Sequence, residues 1–295
     1  HAVPEVTRGT MPSQSKVAST DNVDIAVYDY EPSSTLPTVL LSHATGFHGR
    51  CFEPIAQQLA PTNHCIAFDY RGHGDSVISD DWQVRWNAYG DDVLAVARVA
   101  AARGPIVAAG HSMGGAALVM AAIREPQLFR ALVLFEPIIF PDTARNSGNG
   151  PSPLVEGARR RRATFPSLDA AYDNYASKPP LNIFQPDSLR AYVDYGFNVQ
   201  PDGSATLKCA PEHEARTFET GGIHETWEDL GKLRVPSWFV SGAFIEHSPS
   251  SFTEMISNCV DGSTYVQWND LGHFGPMQNS KRFADLIRLV SANVQ

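Results

Sequence analysis

The segment Gly110-His111-Ser112-Met113-Gly114, followed by Gly115, presents a serine hydroxyl in a setting that can make it a nucleophile. An apolar run (106–109) precedes it and an alanine-rich stretch (113–124) follows, which predicts strand, tight turn and helix. The glycines suit a turn so tight that side chains beside the serine would clash, and the serine itself is held in strained backbone. Such a turn lifts Ser112 above the sheet edge at a helix N-terminus, where free N–H groups favour negative charge. A serine also needs a base, and His273 in Leu271-Gly272-His273-Phe274-Gly275 lies just after the last predicted strand. In a parallel sheet the loops after strands gather on one edge, so Ser112 and His273 should face each other. Two main-chain donors would complete acyl-transfer chemistry. One is the amide of Met113, directly after the nucleophile. The other is the amide of Thr45 in the loop His43-Ala44-Thr45-Gly46-Phe47. A donor of this kind is typically worth about 10²–10³ in rate. Phe47, His111 and Phe274 adjoin these groups in sequence and are expected to touch substrate.

The elements that must hold these residues follow from periodicity. Residues 1–20 lack it and suit an arm or an edge strand. Alternation starts at Val23, turns over 31–37, and gives way to an apolar strand at 38–42. A helix is predicted at 49–60 and a buried strand at 64–68, ending in the glycine-rich turn 71–76. Then come a helix (87–103), a strand (106–109), a helix (113–124) and a strand (131–135). This rhythm means parallel crossovers and a sheet covered on both faces. It breaks at Pro141. Residues 141–153 are rich in Pro, Gly, Asn and Ser, as a hinge or lid-edge loop would be, and 154–230 read as mostly helical, with many aromatics and no buried-strand run. Strand and helix return at 237–241, 252–257, 264–268 and 280–290. The fold class is therefore α/β: a mostly parallel central sheet flanked by helices, with an inserted helical cap. The core is expected over 1–140 and 235–295, and the cap over 141–234.

Composition narrows the class of function. A chain of 295 residues, 43% hydrophobic and 19% charged, can bury one substantial core. The net charge of -9 argues against a nucleic-acid partner, which needs a basic face, and no apolar run is long enough to span a membrane. Cys51, Cys65, Cys209 and Cys259 are scattered, so free thiols in a reducing compartment are expected. Together with the lack of an N-x-S/T sequon, this favours a cytoplasmic location. The chain begins at His1 rather than Met, so a processed leader remains open. A homodimer is compatible with the sequence.

Four segments carry a resemblance: His43 to Phe47, Asp69-Tyr70-Arg71-Gly72-His73-Gly74-Asp75-Ser76, Gly110 to Gly115, and Gly272-His273-Phe274. Together they resemble the capped α/β-hydrolase superfamily over nearly all of the chain except the cap and the first 20 residues. The second segment is similar to a D-x-R-G-x-G-x-S turn that buttresses the active-site edge. The oxyanion loop departs from the usual His-Gly start, having His43-Ala44.

The resemblance implies a third triad member, an acid that orients the imidazole. Its usual place is in a G-x-x-D-x-x-x-P pattern after the strand 237–241. Here Gly242 and Pro249 keep their spacing, Ile245 fills the acid position, and Glu246 is one place late. Glu136 ends an uninterrupted apolar strand, where a carboxylate needs a partner to justify burial, and some relatives take their acid from that strand. The working acid is Glu136, with Glu246 as the alternative.

Other clusters suggest less. Of Arg159-Arg160-Arg161-Arg162, at most one or two can face the cleft if the run is helical; a solvated helix end is the expected reading, and the sharper alternative is a guanidinium that anchors a substrate carboxylate. His224, Glu225, Glu228 and Asp229 match no metal-ligand spacing, and the chemistry needs no metal or cofactor. The expected activity is hydrolysis of a small or medium carboxylic ester or lactone by a serine nucleophile. The same machinery could cleave a carbon–carbon bond in a diketone or make peracids as cofactor-free haloperoxidases do, and a ligand receptor that kept the fold is the alternative of another class. A serine at 112 disfavours the branches that use an aspartate nucleophile.

Overall fold

In the computed structural model, which describes residues 11–31, 36–145 and 152–294, strands and helices alternate along most of the chain. The strands are β1 (Ser13–Ala18), β2 (Asp24–Tyr30), β3 (Val39–Ser42), β4 (Cys65–Phe68), β5 (Ile106–His111), β6 (Phe129–Phe135), β7 (Thr164–Phe165), β8 (Phe197–Val199), β9 (Ala205–Leu207), β10 (Ser237–Ser241) and β11 (Thr264–Gln267). The helices are α1 (Glu53–Leu59), α2 (Trp86–Ala100), α3 (Met113–Arg124), α4 (Asp142–Arg145), α5 (Pro153–Arg159), α6 (Leu168–Ala176), α7 (Pro186–Gly196), α8 (Pro211–Glu219), α9 (Thr226–Asp229), α10 (Pro249–Asn258), α11 (Gly275–Gln278) and α12 (Ser280–Asn293). Parts of the predicted 31–37 turn and of the 141–153 loop, at 32–35 and 146–151, lie outside the described residues, as do residues 1–10 of the predicted arm.

Eight strands form one sheet in the order β1-β2-β4-β3-β5-β6-β10-β11. β1, β2 and β4 pair antiparallel, while every pair from β4 through β3, β5, β6 and β10 to β11 is parallel. The central strands β3, β4 and β5 are buried at every residue, as runs such as Ile106-Val107-Ala108-Ala109 require of a sheet covered on both faces. Two apolar layers flank it. One contains Phe52, Ile55, Leu59, Phe283, Ile287 and Val290 from α1, its preceding turn and α12. The other contains Tyr89, Val93, Val96, Leu118 and Ala122 from α2 and α3. The helix spacing of these residues is what put them on one face.

The turn after β4 is held by buried charge. Arg71 is fully buried, and its guanidinium donates to both carboxylate oxygens of Asp92 on α2 at 2.7–3.1 Å. Asp69 is also fully buried and accepts from the Gly49 and Asp75 amides, each at 2.7 Å, and from the Tyr28 hydroxyl at 2.6 Å. Burial raises its carboxyl to about 6, against the pull of those donors.

Between β6 and β10 lie α4 to α9 together with β7, β8 and β9, which form a small antiparallel sheet in the order β7-β9-β8. The segment 154–230 is mostly helical, as its sequence reads, and adds only short strands of two or three residues, too brief to show alternation. The single helix predicted over 49–60 is a 3-10 turn, Gly49–Phe52, leading into α1. No helix among the described residues is long and apolar enough to cross a membrane.

Candidate active site

Ser112 sits between β5 and α3 with φ 57° and ψ -118°, a conformation that non-glycine residues rarely adopt. Its neighbours leave no room for anything larger. A Cβ on Gly110 would lie 2.8 Å from the Gly114 backbone, and one on Gly114 would lie 2.3 Å from the Ser42 carbonyl oxygen. The strained residue is pinned from both sides: the Ser112 amide donates to the Phe135 carbonyl at 2.9 Å, and its carbonyl accepts from the Ile138 amide at 3.2 Å. The structure therefore builds the tight turn that the glycines require.

His273 Nε2 lies 3.2 Å from Ser112 Oγ, and His273 Nδ1 lies 2.6 Å from Glu136 Oε2. Glu136 is buried at 1% exposure. Its second oxygen accepts the Gly242 amide at 2.8 Å, so each carboxylate oxygen has a donor. Glu136, like Ser112, has a positive φ (43°), and its amide bonds the Val240 carbonyl at 2.9 Å. Glu246 is exposed in the loop after β10, and its ionic neighbour is His247 at 3.8 Å. The structure thus brings Ser112, His273 and Glu136 together and leaves Glu246 apart from them.

Thr45 and Met113 are both buried and adjacent: the Thr45 hydroxyl lies 3.4 Å from the Met113 sulfur. Met113 is the first residue of α3. Phe47 and Phe274 stack with ring centroids 5.9 Å apart. His111, expected to touch substrate, is instead fully buried, and its Nε2–H donates to the His273 carbonyl at 2.7 Å. Burial holds its pKa well below the ordinary value, so the ring is neutral and fixes the main chain of His273.

A cavity of about 510 Å³ opens beside this group. Thr45, Phe47 and Phe274 form its floor, and residues of the insert, among them Phe165, Leu181, Tyr192 and Phe218, form its walls. Ser112 and His273 do not line it; among its lining residues Phe274 lies with its ring 5.6 Å from that of His273, and Thr45 lies against Met113, next to Ser112 in the chain. The arginine run contributes more to it than a helical reading allows. Because α5 ends at Arg159, helical spacing does not govern the next three residues, and Arg160, Arg161 and Arg162 all line the cavity. Arg159 faces away and pairs with Glu212 and Glu219.

Two buried arrangements around this site are barely legible in the sequence. Glu214 of α8 pairs with Arg161 at 2.6 Å and packs against the loop 43–47, where a Cβ on Gly46 would fall 2.3 Å from Glu214 Oε1. Gly46 has φ +77°, so that position suits glycine on both counts. His213, one residue earlier, meets His73 with ring centroids 5.2 Å apart, and His73 meets His43 at the same separation. The one readable signal was the pair of acids in the first turn of a short helix, an N-terminal preference that says nothing of their partners. His224 spends its ring nitrogens on Thr226 Oγ1 and the Ile138 carbonyl, each at 2.9 Å, and stacks on Trp86. All four cysteines are free thiols, and only Cys259 is exposed.

Residues 39–286 match the model of the Alpha/beta hydrolase family. Over 123 residues the chain is 34% identical to lipase LipV of Mycobacterium tuberculosis, covering 42% of this chain and 45% of that protein. Over 102 residues it is 34% identical to the 2-(acetamidomethylene)succinate hydrolase of Mesorhizobium japonicum, covering 34% and 35% respectively. The chain thus spans less than half the length of these curated relatives. A solved structure of E-2-(acetamidomethylene)succinate hydrolase superposes with a TM-score of 0.75 at 20% identity, covering 95% of this chain and 98% of the other. A thermophilic esterase from Thermogutta terrifontis superposes with a TM-score of 0.69 at 20% identity, covering 96% and 99%. At that identity the two structures bear on the fold alone.

Proposed function

The chain belongs to the alpha/beta hydrolase family, and from that premise we propose that it is a serine hydrolase acting on a small or medium carboxylic ester or lactone. The observation that carries the reading is the unbroken line Ser112 Oγ, His273 Nε2, His273 Nδ1, Glu136 Oε2, with steps of 3.2 and 2.6 Å across its two hydrogen bonds. In it His273 accepts the Ser112 proton while Glu136 fixes the tautomer and stabilises the imidazolium.

Ser112 Oγ attacks the substrate carbonyl carbon as its proton passes to His273 Nε2. The Thr45 and Met113 amides receive the oxyanion. When the tetrahedral species collapses, the bond to the leaving alkoxide breaks and His273 returns the proton to it. Water then attacks the acyl-enzyme, gives a proton to His273, and releases the carboxylic acid as Ser112 Oγ is reprotonated. In this reading 141–234 is a cap that shapes the acyl pocket, and Phe47 and Phe274 touch the substrate beside the nucleophile.

Turnover of p-nitrophenyl acetate tests it. Rapid multiple turnover, abolished in Ser112→Ala, is the expected result. A single slow turnover with product retained on the protein overturns the reading in favour of a ligand receptor.

A further inference from the structure

The cavity beside the triad is apolar over most of its wall, yet its charged residues are one-sided. Arg160, Arg161, Arg162 and Lys178 line it against a single carboxylate, Glu214. That is the reverse of the chain as a whole, whose net charge is -9. A basic cleft on an acidic protein needs an explanation, because the surrounding field otherwise repels anions.

The four cations are not equivalent. Arg161 is committed inward: Nη1 donates to Glu214 at 2.6 Å, and Nη2 donates to the Tyr175 hydroxyl at 3.1 Å and to the Tyr192 hydroxyl. Its charge is matched by Glu214, and its donors hold the wall together. Arg162 spends Nε on the Thr164 carbonyl at 2.8 Å and lies over the Phe165 ring. Arg160 and Lys178 have no side-chain partner among the described residues, and both are exposed at the cavity wall. They come from different elements, the turn after α5 and the segment after α6, so their convergence is a property of the folded chain.

We propose that the cavity selects acyl substrates whose far end is anionic, with Arg160 and Lys178 meeting that end and the apolar wall holding the chain between it and the ester. This rests on the serine-hydrolase reading and adds the substrate class to it. About 510 Å³ accommodates a medium-length acyl chain. Arg161, neutralised by Glu214, is a wall residue and not the anchor. The anion is a carboxylate or a phosphate, since both satisfy a guanidinium and an ammonium.

Two substrate pairs test the proposal. The first is the 4-nitrophenyl hemiesters of glutaric, adipic and suberic acids against their methyl-capped counterparts. The second is 4-nitrophenyl 6-phosphonooxyhexanoate against 4-nitrophenyl 6-hydroxyhexanoate, which lacks the terminal phosphate. The readout is the ratio of kcat/KM for the charged member to that for the neutral one. It is expected to exceed one in at least one pair and to fall toward one at high salt. In Arg160→Gln/Lys178→Gln it should drop about tenfold, a scale set by charge-assisted bonds weakened by exposure. The charge-keeping Arg160→Lys/Lys178→Arg should retain most of the preference. The carboxylate and phosphate pairs tell the two sources apart. A ratio near one in both pairs, or a ratio untouched by the double substitution, overturns the proposal.

Calorimetric binding of the intact hemisuberate and its methyl-capped counterpart to Ser112→Ala gives a second readout that needs no hydrolysis. Preference in binding without any turnover by the unsubstituted protein overturns the hydrolase reading alone. Turnover without preference overturns the anion-selective cavity alone.

Discussion

Glu136 Oε2 lies 2.6 Å from His273 Nδ1 while Glu136 Oε1 takes the Gly242 amide at 2.8 Å, so one buried carboxylate joins the end of β6, the start of the loop after β10, and the imidazole beside Ser112. Both partners are donors. That is the reason a carboxylate, which only accepts, fits the position and an amide does not.

Glu136→Gln follows directly. Whichever way the glutamine is turned, its NH₂ faces either the Gly242 amide or His273 Nδ1–H. Relief requires the imidazole to take the other tautomer, with its proton facing Ser112. Turnover of p-nitrophenyl acetate should fall about 10³–10⁴-fold while the folded state persists. Glu246→Gln, in an exposed loop where its ionic neighbour is His247, should turn over as the unsubstituted protein does. Equal activity in the two variants would remove Glu136 from the mechanism.

The Arg161–Glu214 pair supplies a prediction about stability. Arg161 is 18% exposed and Glu214 8%, and burial raises the Glu214 carboxyl while Arg161 pulls it back. Removing one partner strands the other charge in a place poor in water. Arg161→Met and Glu214→Leu should therefore each cost about 3 kcal/mol in urea unfolding. The double variant, which strands neither charge, should recover at least half of the summed loss. Additive losses in the double variant would mean that the two side chains are not coupled.

These features differ in how visible they were beforehand. The serine turn, the parallel sheet and His273 are written locally: glycines where backbone touches backbone, apolar runs the length of a strand, and a histidine just after the last one. Glu136 could be singled out because a carboxylate ending an apolar strand must have a partner. Its competition with Glu246 could not be resolved, since the distance to His273 depends on how β6 and β10 lie side by side. The same holds for Glu214 against Gly46 and for the histidine file. These contacts join the insert to the loops above the sheet, and no periodicity encodes them. The arginine run misled in a simpler way. Helical spacing does not extend past the end of α5 at Arg159, and three of the four arginines reach the cavity.

His213 and its neighbours make stability depend on acid. The ring of His213 in α8 meets His73 and Trp82 of the core, and His73 meets His43 in turn; Arg216 lies one turn along on α8. Burial lowers His213 to about 4 and His43 to about 3, and holds His73 well below the usual histidine range, with its Nε2 buried and without a hydrogen-bond partner. In the unfolded chain these imidazoles titrate near their ordinary 6.5. As the pH falls below that value the unfolded state takes up protons that the native state refuses. The stabilisation is thus fully present above about 6.5 and is lost as pH falls toward the native values. Each imidazole contributes a slope of about 1.4 kcal/mol per pH unit in that window. Asp69 acts in the opposite sense. Its carboxyl is raised to about 6 from 3.8, so the native state binds that proton first and one share of the loss is offset below pH 6. Urea midpoints measured between pH 7 and pH 5 should therefore fall steadily. In His213→Gln the slope should be shallower by one imidazole's share, whatever the variant's stability at neutral pH. A slope identical to that of the unsubstituted protein would show that His213 is not held neutral against His73.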